Sequence, residues 1–361
     1  YYATYCAAFL SGYSHEESMQ ICYGAQFVDL CSSTLLHKIG APRMAATMQL
    51  QLEMMDARTD YIGIREIIGI WSSFHFLPCD LHVQKKWRTK KYMNKYRLIC
   101  GPNGTLVRDT VLLAKDRTLP RAGIAMHVLA DTWAHRYFAG VPSLVINNTG
   151  NDFYEIISDE EGEREQKIRF RHNPSAADDL EKGLYTNSIY QGSEYSIMNL
   201  GHGRAGHLPD YSFMKYRYMP AWNEYRIIVK DNPDDYLHAF CQMIHALKFL
   251  RGDVKTFETG LYDFDAIKGY EERIGRILRK RQLIASKDWK VFGEELSGET
   301  IEEFDLDKYQ EAYVNAPREE KSDTYLGQFF EGAIAQKEMV CDQIHRARNT
   351  QGFWKRGGSI S

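Results

Sequence analysis

The sequence has few cysteines and no long apolar segment. Its seven cysteines are an odd number and form no C-x-x-C pair, which argues against a disulfide framework or a thiolate zinc site. No stretch approaches the ~20 apolar residues that cross a bilayer. The formal net charge is only −3, which does not favour a dedicated nucleic-acid-binding protein. The G-x-x-x-x-G-K-[ST], H-E-x-x-H and G-x-S-x-G motifs are absent, so the corresponding enzyme classes receive no support.

The composition is instead that of a folded helical protein. Hydrophobic residues make up 44% and aromatic residues 13% of the chain, which is ample for a core. Apolar periodicity, a capping box at Ser14–Glu17 and helix-stop residues predict a series of helices. They are expected at residues 15–31, 44–55, 64–76, 121–138, 233–250, 265–284 and 322–348. The predicted fold is mainly α: one large helical domain over residues 1–361.

One segment has the pattern of a β-hairpin. The acidic turn Asp159–Glu163 separates two stretches, and Ile168 and Phe170 alternate with basic residues, which is a period-2 strand signal. We therefore expect a small hairpin insertion at residues 144–172. The Gly- and Tyr-rich residues 183–218 are expected to form loops, and residues 351–361 a loose tail.

The clearest chemical pattern lies in the helix predicted at 121–138. His127, Asp131 and His135 are spaced four residues apart, so all three share one helical face, about one turn from each other. Two imidazoles and a carboxylate suit a divalent transition metal. The surrounding residues are apolar, and burying such a stripe without partners would be costly. A purely structural His–Asp–His network is the alternative reading.

A second histidine cluster occurs in the glycine-rich loop Gly201–Asp210. His202, His207 and Asp210 lie within nine residues, and glycines allow backbone geometries that bring such side chains to a site. Arg204 is a candidate for holding an anionic substrate group. An exposed loop with incidental histidines is the alternative.

Two single residues are further candidates. His75 interrupts an apolar run, so it is either a ligand or a core histidine with satisfied hydrogen bonds. Asp29 ends an apolar helix and is either a bridging carboxylate or a solvated residue.

Lys85–Arg97 form a basic run with no acidic residue. Such a run can contact nucleic acid or an anionic membrane surface, but a solvated face is the commoner case and is the one we expect.

Two resemblances accompany these motifs. His127-x-x-x-Asp131 on an apolar helix resembles the signature of the zinc-dependent phospholipase C/P1 nuclease superfamily, which implies an all-helical fold, a multinuclear zinc site and phosphoester hydrolysis. More closely, several segments together resemble an uncharacterised bacterial family that covers most of the chain and implies no activity. Those segments are Ser14–Glu17, Gln26–Asp29, Phe74–Pro78, His127–His135 and Gly201–Asp210.

These observations favour a metal-dependent hydrolase, with a phosphoester or another small molecule as substrate. The candidate ligands of a zinc, iron or manganese ion are His127, Asp131, His135, His202, His207, His75 and Asp29. The candidate proton acceptors are Asp131, Asp29 and Asp210. Two alternatives stay open: an iron-dependent redox or lyase enzyme with the same ligands, and a non-catalytic helical binding protein.

A cytoplasmic location is expected. A secreted or periplasmic location is left open, because the sequence begins with Tyr1 rather than Met.

Overall fold

The structure, a computed structural model, describes residues 1–50, 52–53, 61–83, 96–141, 148–149, 152–159, 162–171, 176–186 and 204–349. Its architecture is mainly α with a small sheet, which confirms the predicted fold class. The described helices are α1 (Tyr2–Leu10), α2 (His15–Phe27), α3 (Ser33–Lys38), α4 (Tyr61–Phe74), α5 (Thr105–Ala114), α6 (Leu119–Ala134), α7 (Asn232–Arg251), α8 (Glu271–Arg279), α9 (Ser286–Ser297), α10 (Gln310–Asn315) and α11 (Tyr325–Asn349). None of these helices is both long enough and apolar enough to cross a bilayer. The tail expected at 351–361 lies outside the described residues.

Helix α6 is the central helix of the bundle. It packs against α2, α4, α5, α7 and α11, and most of its side chains are buried. Its closest neighbour is α2, because Gly123 lets the two backbones touch: a Cβ there would lie 2.5 Å from the Ile21 carbonyl oxygen. Gly24 faces the carbonyl of Pro120 in the same way, at 3.0 Å. The second half of α2 is therefore held beside the beginning of α6.

The ends of α2 and α6 follow from local chemistry. Ser14 and Glu17 form the predicted capping box, with each side chain accepting a hydrogen bond from the other residue's backbone amide. Helix α6 begins at Leu119 and ends at Ala134, four residues before the predicted end. The helix stops there because Tyr137 adopts a φ of +80°, which a right-handed helix cannot accommodate.

The helix predicted at residues 44–55 is wrong over residues 46–50. A single 3₁₀ turn, Arg43–Ala45, is followed by non-helical backbone. The Thr47 amide donates to the Cys31 carbonyl at 2.9 Å, and its hydroxyl donates to the Val28 carbonyl at 2.6 Å. These tertiary hydrogen bonds replace those of a helix, so the high helix propensity of the segment is overridden.

The predicted hairpin is present and belongs to a larger sheet. Strands β1 (Tyr154–Asp159) and β2 (Gly162–Lys167) form an antiparallel hairpin, with Tyr154 opposite Lys167. Strands β5 (Lys215–Tyr218) and β6 (Ile228–Asp231) extend it in the order β2-β1-β5-β6. Strands β3 (Arg169–Arg171) and β4 (Leu184–Thr186) form a separate parallel pair. Strands β4 and β5 lie where loops were expected, because strands of three or four residues leave little periodic signal.

The sheet has an apolar cluster of its own beside the helical core. Its fully buried members are mostly aromatic: Phe76, Phe153, Tyr185, Tyr216 and Tyr218, together with Met214 and Leu208. Phe76 lies two residues beyond the end of α4, so this cluster connects the sheet to the end of that helix.

The contact between α2 and α6 gives a stability prediction. We expect Gly123→Ala to lower the free energy of unfolding by about 1–3 kcal/mol, because the new methyl group meets rigid backbone atoms. Gly69→Ala is the matched control in α4, where the nearest atom is the Cys341 sulfur at an ordinary 3.5 Å. It should leave stability unchanged or raise it by up to ~1 kcal/mol. Urea denaturation of both variants measures the difference, and equal stabilities would contradict the close approach.

Candidate metal centre

Four predicted ligands converge from three segments of the helical bundle. Asp29 follows the end of α2, and His75 follows the end of α4. His127 and Asp131 lie one turn apart on α6. The four side chains thus come together where the ends of two helices meet the middle of a third.

Their facing atoms have the spacing of a metal site. Asp131 Oδ2 lies 3.1 Å from His75 Nδ1 and 3.2 Å from His127 Nε2, and these two nitrogens are 3.4 Å apart. Asp29 Oδ1 lies 3.9 Å from the His75 nitrogen and 3.8 Å from the His127 nitrogen. A metal with bonds of about 2.0–2.2 Å separates tetrahedral ligands by about 3.3–3.6 Å. These five distances lie within about 0.3 Å of that range, and the ligand atoms of Asp29, His75 and His127 all lie within 4.8 Å of one another.

Backbone groups orient both imidazoles. His75 Nε2 lies 3.0 Å from the carbonyl oxygen of Thr47; since a carbonyl only accepts, this nitrogen carries the proton. In neutral His75 the Nδ1 lone pair therefore points at Asp131 and His127. The His127 ring is similarly hydrogen-bonded to the backbone of Ala25, in α2. Outer contacts of this kind fix ring orientation and tautomer in metal sites.

The protonation states of Asp131 and its neighbouring histidines depend strongly on one another. Burial opposes protonation of His127, but the negative charges of Asp131 and Asp29 outweigh it and raise the pKa of His127 to about 9. Burial likewise opposes ionisation of Asp131, yet His127 and His135 hold its pKa well below the usual range. The cluster therefore contains an ionised carboxylate whose charge a cation, either a proton or a metal ion, must balance.

A second His/Asp group adjoins the first. His135 caps the end of α6, and its Nδ1 donates to the His75 carbonyl at 2.5 Å. Its Nε2 lies 3.8 Å from Asp210 Oδ1, while His207 Nδ1 lies 3.3 Å from Asp210 Oδ2. The hydrogen bond to Asp210 raises the pKa of His207. The helix and the glycine-rich loop thus meet, and Asp210 links them.

An open pocket of about 320 Å³ gives access to this region. Asp131 and Asp210 both line it, and the side chain of Asp131 is 19% exposed. Its other walls are largely apolar and include Phe240, Met243, Leu278, Leu283 and Trp289. None of the described lining residues is a lysine or an arginine. An anionic group in this pocket would depend on a bound cation for attraction.

Three other sequence predictions have different outcomes. His202 and residues 85–95 of the basic run lie outside the described residues. Arg204 is only 4% exposed, which does not favour contact with a substrate, and its role stays a prediction. Gly201–Gly206 also has the G-x-G-x-x-G spacing of dinucleotide-binding loops, but the following residues form turns that lead to β5 instead of opening a helix.

Sequence reasoning missed the groups that orient the rings. These are the carbonyl of Thr47 and the backbone of Ala25. Backbone acceptors occur at every residue, so no pattern of side chains could have identified them.

The chain belongs to the DUF6765 family, a family of unknown function whose sequence profile matches residues 1–344. Neither curated proteins nor solved structures gave a match to the chain. The close resemblance to an uncharacterised family is thereby confirmed, whereas the resemblance to the phospholipase C/P1 nuclease superfamily has no support.

The coupling between Asp131 and its histidines can be tested without a metal. In metal-free Asp131→Asn protein, we expect the pKa of His127 to fall from about 9 towards its ordinary value of 6.5. The reason is that burial still lowers this pKa, while the negative charge of Asp131 that raises it is lost. NMR titration of the imidazole signals measures this change. Asp253→Asn, an exposed change on another surface, is the control, and an unchanged pKa in Asp131→Asn would contradict the assigned contact.

Proposed function

We propose that this protein is a metal-dependent hydrolase and that phosphoesters are its substrate class. The observation that carries the proposal is the convergence of Asp29, His75 and His127, whose ligand atoms lie within 4.8 Å of one another, with Asp131 Oδ2 a further 3.1 and 3.2 Å from the two imidazole nitrogens. Two imidazole nitrogens and two carboxylate oxygens form a donor set that suits Zn²⁺, with Fe²⁺ and Mn²⁺ as the other candidates.

Three features of the chain favour an ion over a structural network. The ligand nitrogen of each histidine faces Asp131, while backbone groups hold the rings. The neighbouring imidazoles hold the pKa of Asp131 well below its usual range, so a dication would replace protons there. The site is also reached from an open pocket, whereas a structural zinc site is closed.

In such a site the metal supplies Lewis acidity and lowers the pKa of a coordinated water towards about 7. Asp210 is placed to take up a proton at its carboxylate, since it lines the pocket and is hydrogen-bonded to His207. His135 supports Asp210 from the opposite side through its Nε2. The apolar walls exclude water around a substrate group that enters the pocket.

Metal binding is the first test. The purified full chain should bind Zn²⁺ in a competition titration with a chromophoric chelator. His127→Ala should weaken binding at least about 100-fold because one of four ligands is lost. His37→Ala, which removes an exposed histidine remote from the cluster, should bind as tightly as the wild type. Absence of binding, or equal affinity of the His127→Ala and His37→Ala proteins, would contradict the metal site.

Hydrolysis is the second test. Zinc-loaded protein should hydrolyse bis(4-nitrophenyl) phosphate, and Asp210→Asn should lower kcat about 100-fold or more while metal content is retained. Retained metal with full activity in Asp210→Asn would remove Asp210 from the mechanism. If the protein binds zinc but hydrolyses neither phosphate nor carboxylate esters, the metal site is retained and the proposed hydrolase function is overturned. Retention of iron with a visible absorption spectrum would favour the redox or lyase alternative.

A further inference from the structure

A second and larger cleft, of about 540 Å³, lies beyond the end of α6. It shares no lining residue with the pocket at the metal centre. Six rings line it and define what we term the aromatic cleft: Tyr96, Trp133, Tyr137, Trp222, His238 and Tyr262. Pockets of this size and apolar character are the usual sites for small ligands.

The rings form two groups that support each other by edge and stacking contacts. Trp222 lies 5.8 Å from Tyr96 and 6.2 Å from Tyr137, measured between ring centroids. His238 stacks on Trp133 at 5.7 Å and meets Tyr262 edge-on at 5.0 Å. These contacts hold the ring orientations before any ligand arrives.

A chain of polar side chains connects two of the rings by hydrogen bonds and fixes their positions. The Trp133 indole donates to Gln242, which donates to Asn103, and Asn103 donates to the Tyr262 hydroxyl, all within 2.6–2.8 Å. Asn103 and Tyr137 both have positive φ, +64° and +80°. Such conformations cost roughly 1–3 kcal/mol for Tyr and less for Asn, and cluster at ligand sites.

The charged side chains among the described lining residues differ in their partners. Asp235 accepts from the buried ammonium of Lys230 at 2.6 Å and from Arg136 at 3.2 Å. The Arg136 guanidinium also lies over the Tyr137 ring at 4.7 Å, so both cations are engaged. Asp80 and Asp234 stand at the rim as exposed carboxylates, and Asp234 Oδ2 also lies 3.5 Å from His238 Nδ1. Among the described residues, the rim is therefore acidic above aromatic walls.

We infer that the aromatic cleft binds a planar aromatic ring that bears a cationic nitrogen group. The ring of the ligand stacks between the aromatic walls, and the rim carboxylates attract its positive charge. The two groups of rings explain why the ligand is planar, while Asp80 and Asp234 explain why its charge is positive. This inference does not depend on the proposed hydrolase, because the two pockets are separate.

The test uses four probes of similar size with the full-length protein. Benzamidine is planar and cationic, benzamide is planar and neutral, benzoate is planar and anionic, and cyclohexanecarboxamidine is cationic without a flat ring. Binding is measured by quenching of tryptophan fluorescence, because Trp133 and Trp222 line the cleft, and by calorimetry. Benzamidine should bind, with the neutral and the non-planar probes about fivefold or more weaker and benzoate weakest.

Two variants test whether benzamidine binds in the aromatic cleft. Trp222→Leu should weaken benzamidine about tenfold, whereas Tyr270→Leu, which changes an exposed ring outside the cleft, should not. Asp234→Asn should weaken benzamidine about three- to fivefold and leave benzamide unchanged. Because Asp234 is exposed, the Asp234→Asn protein should fold, so it tests the proposal even if Trp222→Leu does not fold. Asp253→Asn is its control.

Three results would overturn the inference. They are benzoate binding as tightly as benzamidine, equal binding of the flat and non-flat cations, and benzamidine affinity unaffected by Asp234→Asn. Zinc content is measured in parallel, and it should stay constant in every cleft variant. Failure of the aromatic cleft is thereby distinguished from failure of the metal centre.

Discussion

The carboxylate of Asp131, which its neighbours largely shield from water (19% exposed), is the constraint on which the arrangement of the site depends. An ionised carboxylate away from water is costly unless charges and hydrogen bonds compensate it. Here His75 and His127 lie 3.1 and 3.2 Å from one of its oxygens. Meeting that requirement brings the end of α4 to the face of α6. The glycine contact between α2 and α6 then places Asp29 at the same point.

The backbone around the cluster is shaped by the same requirement. The carbonyl of Thr47 can reach His75 because residues 46–50 are not helical, and the carbonyl of His75 receives the Nδ1–H of His135. That last hydrogen bond forms where α6 ends, and the chain beyond turns through Tyr137 into the aromatic cleft. The end of this helix thus lies between two pockets: Asp131 and Asp210 line the first, and the rings of the aromatic cleft line the second.

Much of this arrangement follows from sequence patterns, and the rest depends on tertiary contacts. The spacing of His127 and Asp131 predicted a shared helical face, and Ser14–Glu17 predicted a helix start, because both are local. His75 and Asp29 were only candidates, since nothing in the sequence shows that the ends of two helices meet. The non-helical path of residues 46–50 and the strand Lys215–Tyr218 were missed. Both are stabilised by partners distant in sequence, so local propensity gives no signal for them.

The central claim is that Asp29, His75, His127 and Asp131 bind one metal ion directly. X-ray absorption spectroscopy of the zinc-loaded full chain tests it most directly, because it reports the number, type and distance of the ligand atoms. The account predicts two imidazole nitrogens and two or three oxygens at about 2.0–2.2 Å, with one imidazole lost in His75→Ala. A spectrum with only oxygen ligands, or one unchanged by His75→Ala, would contradict it.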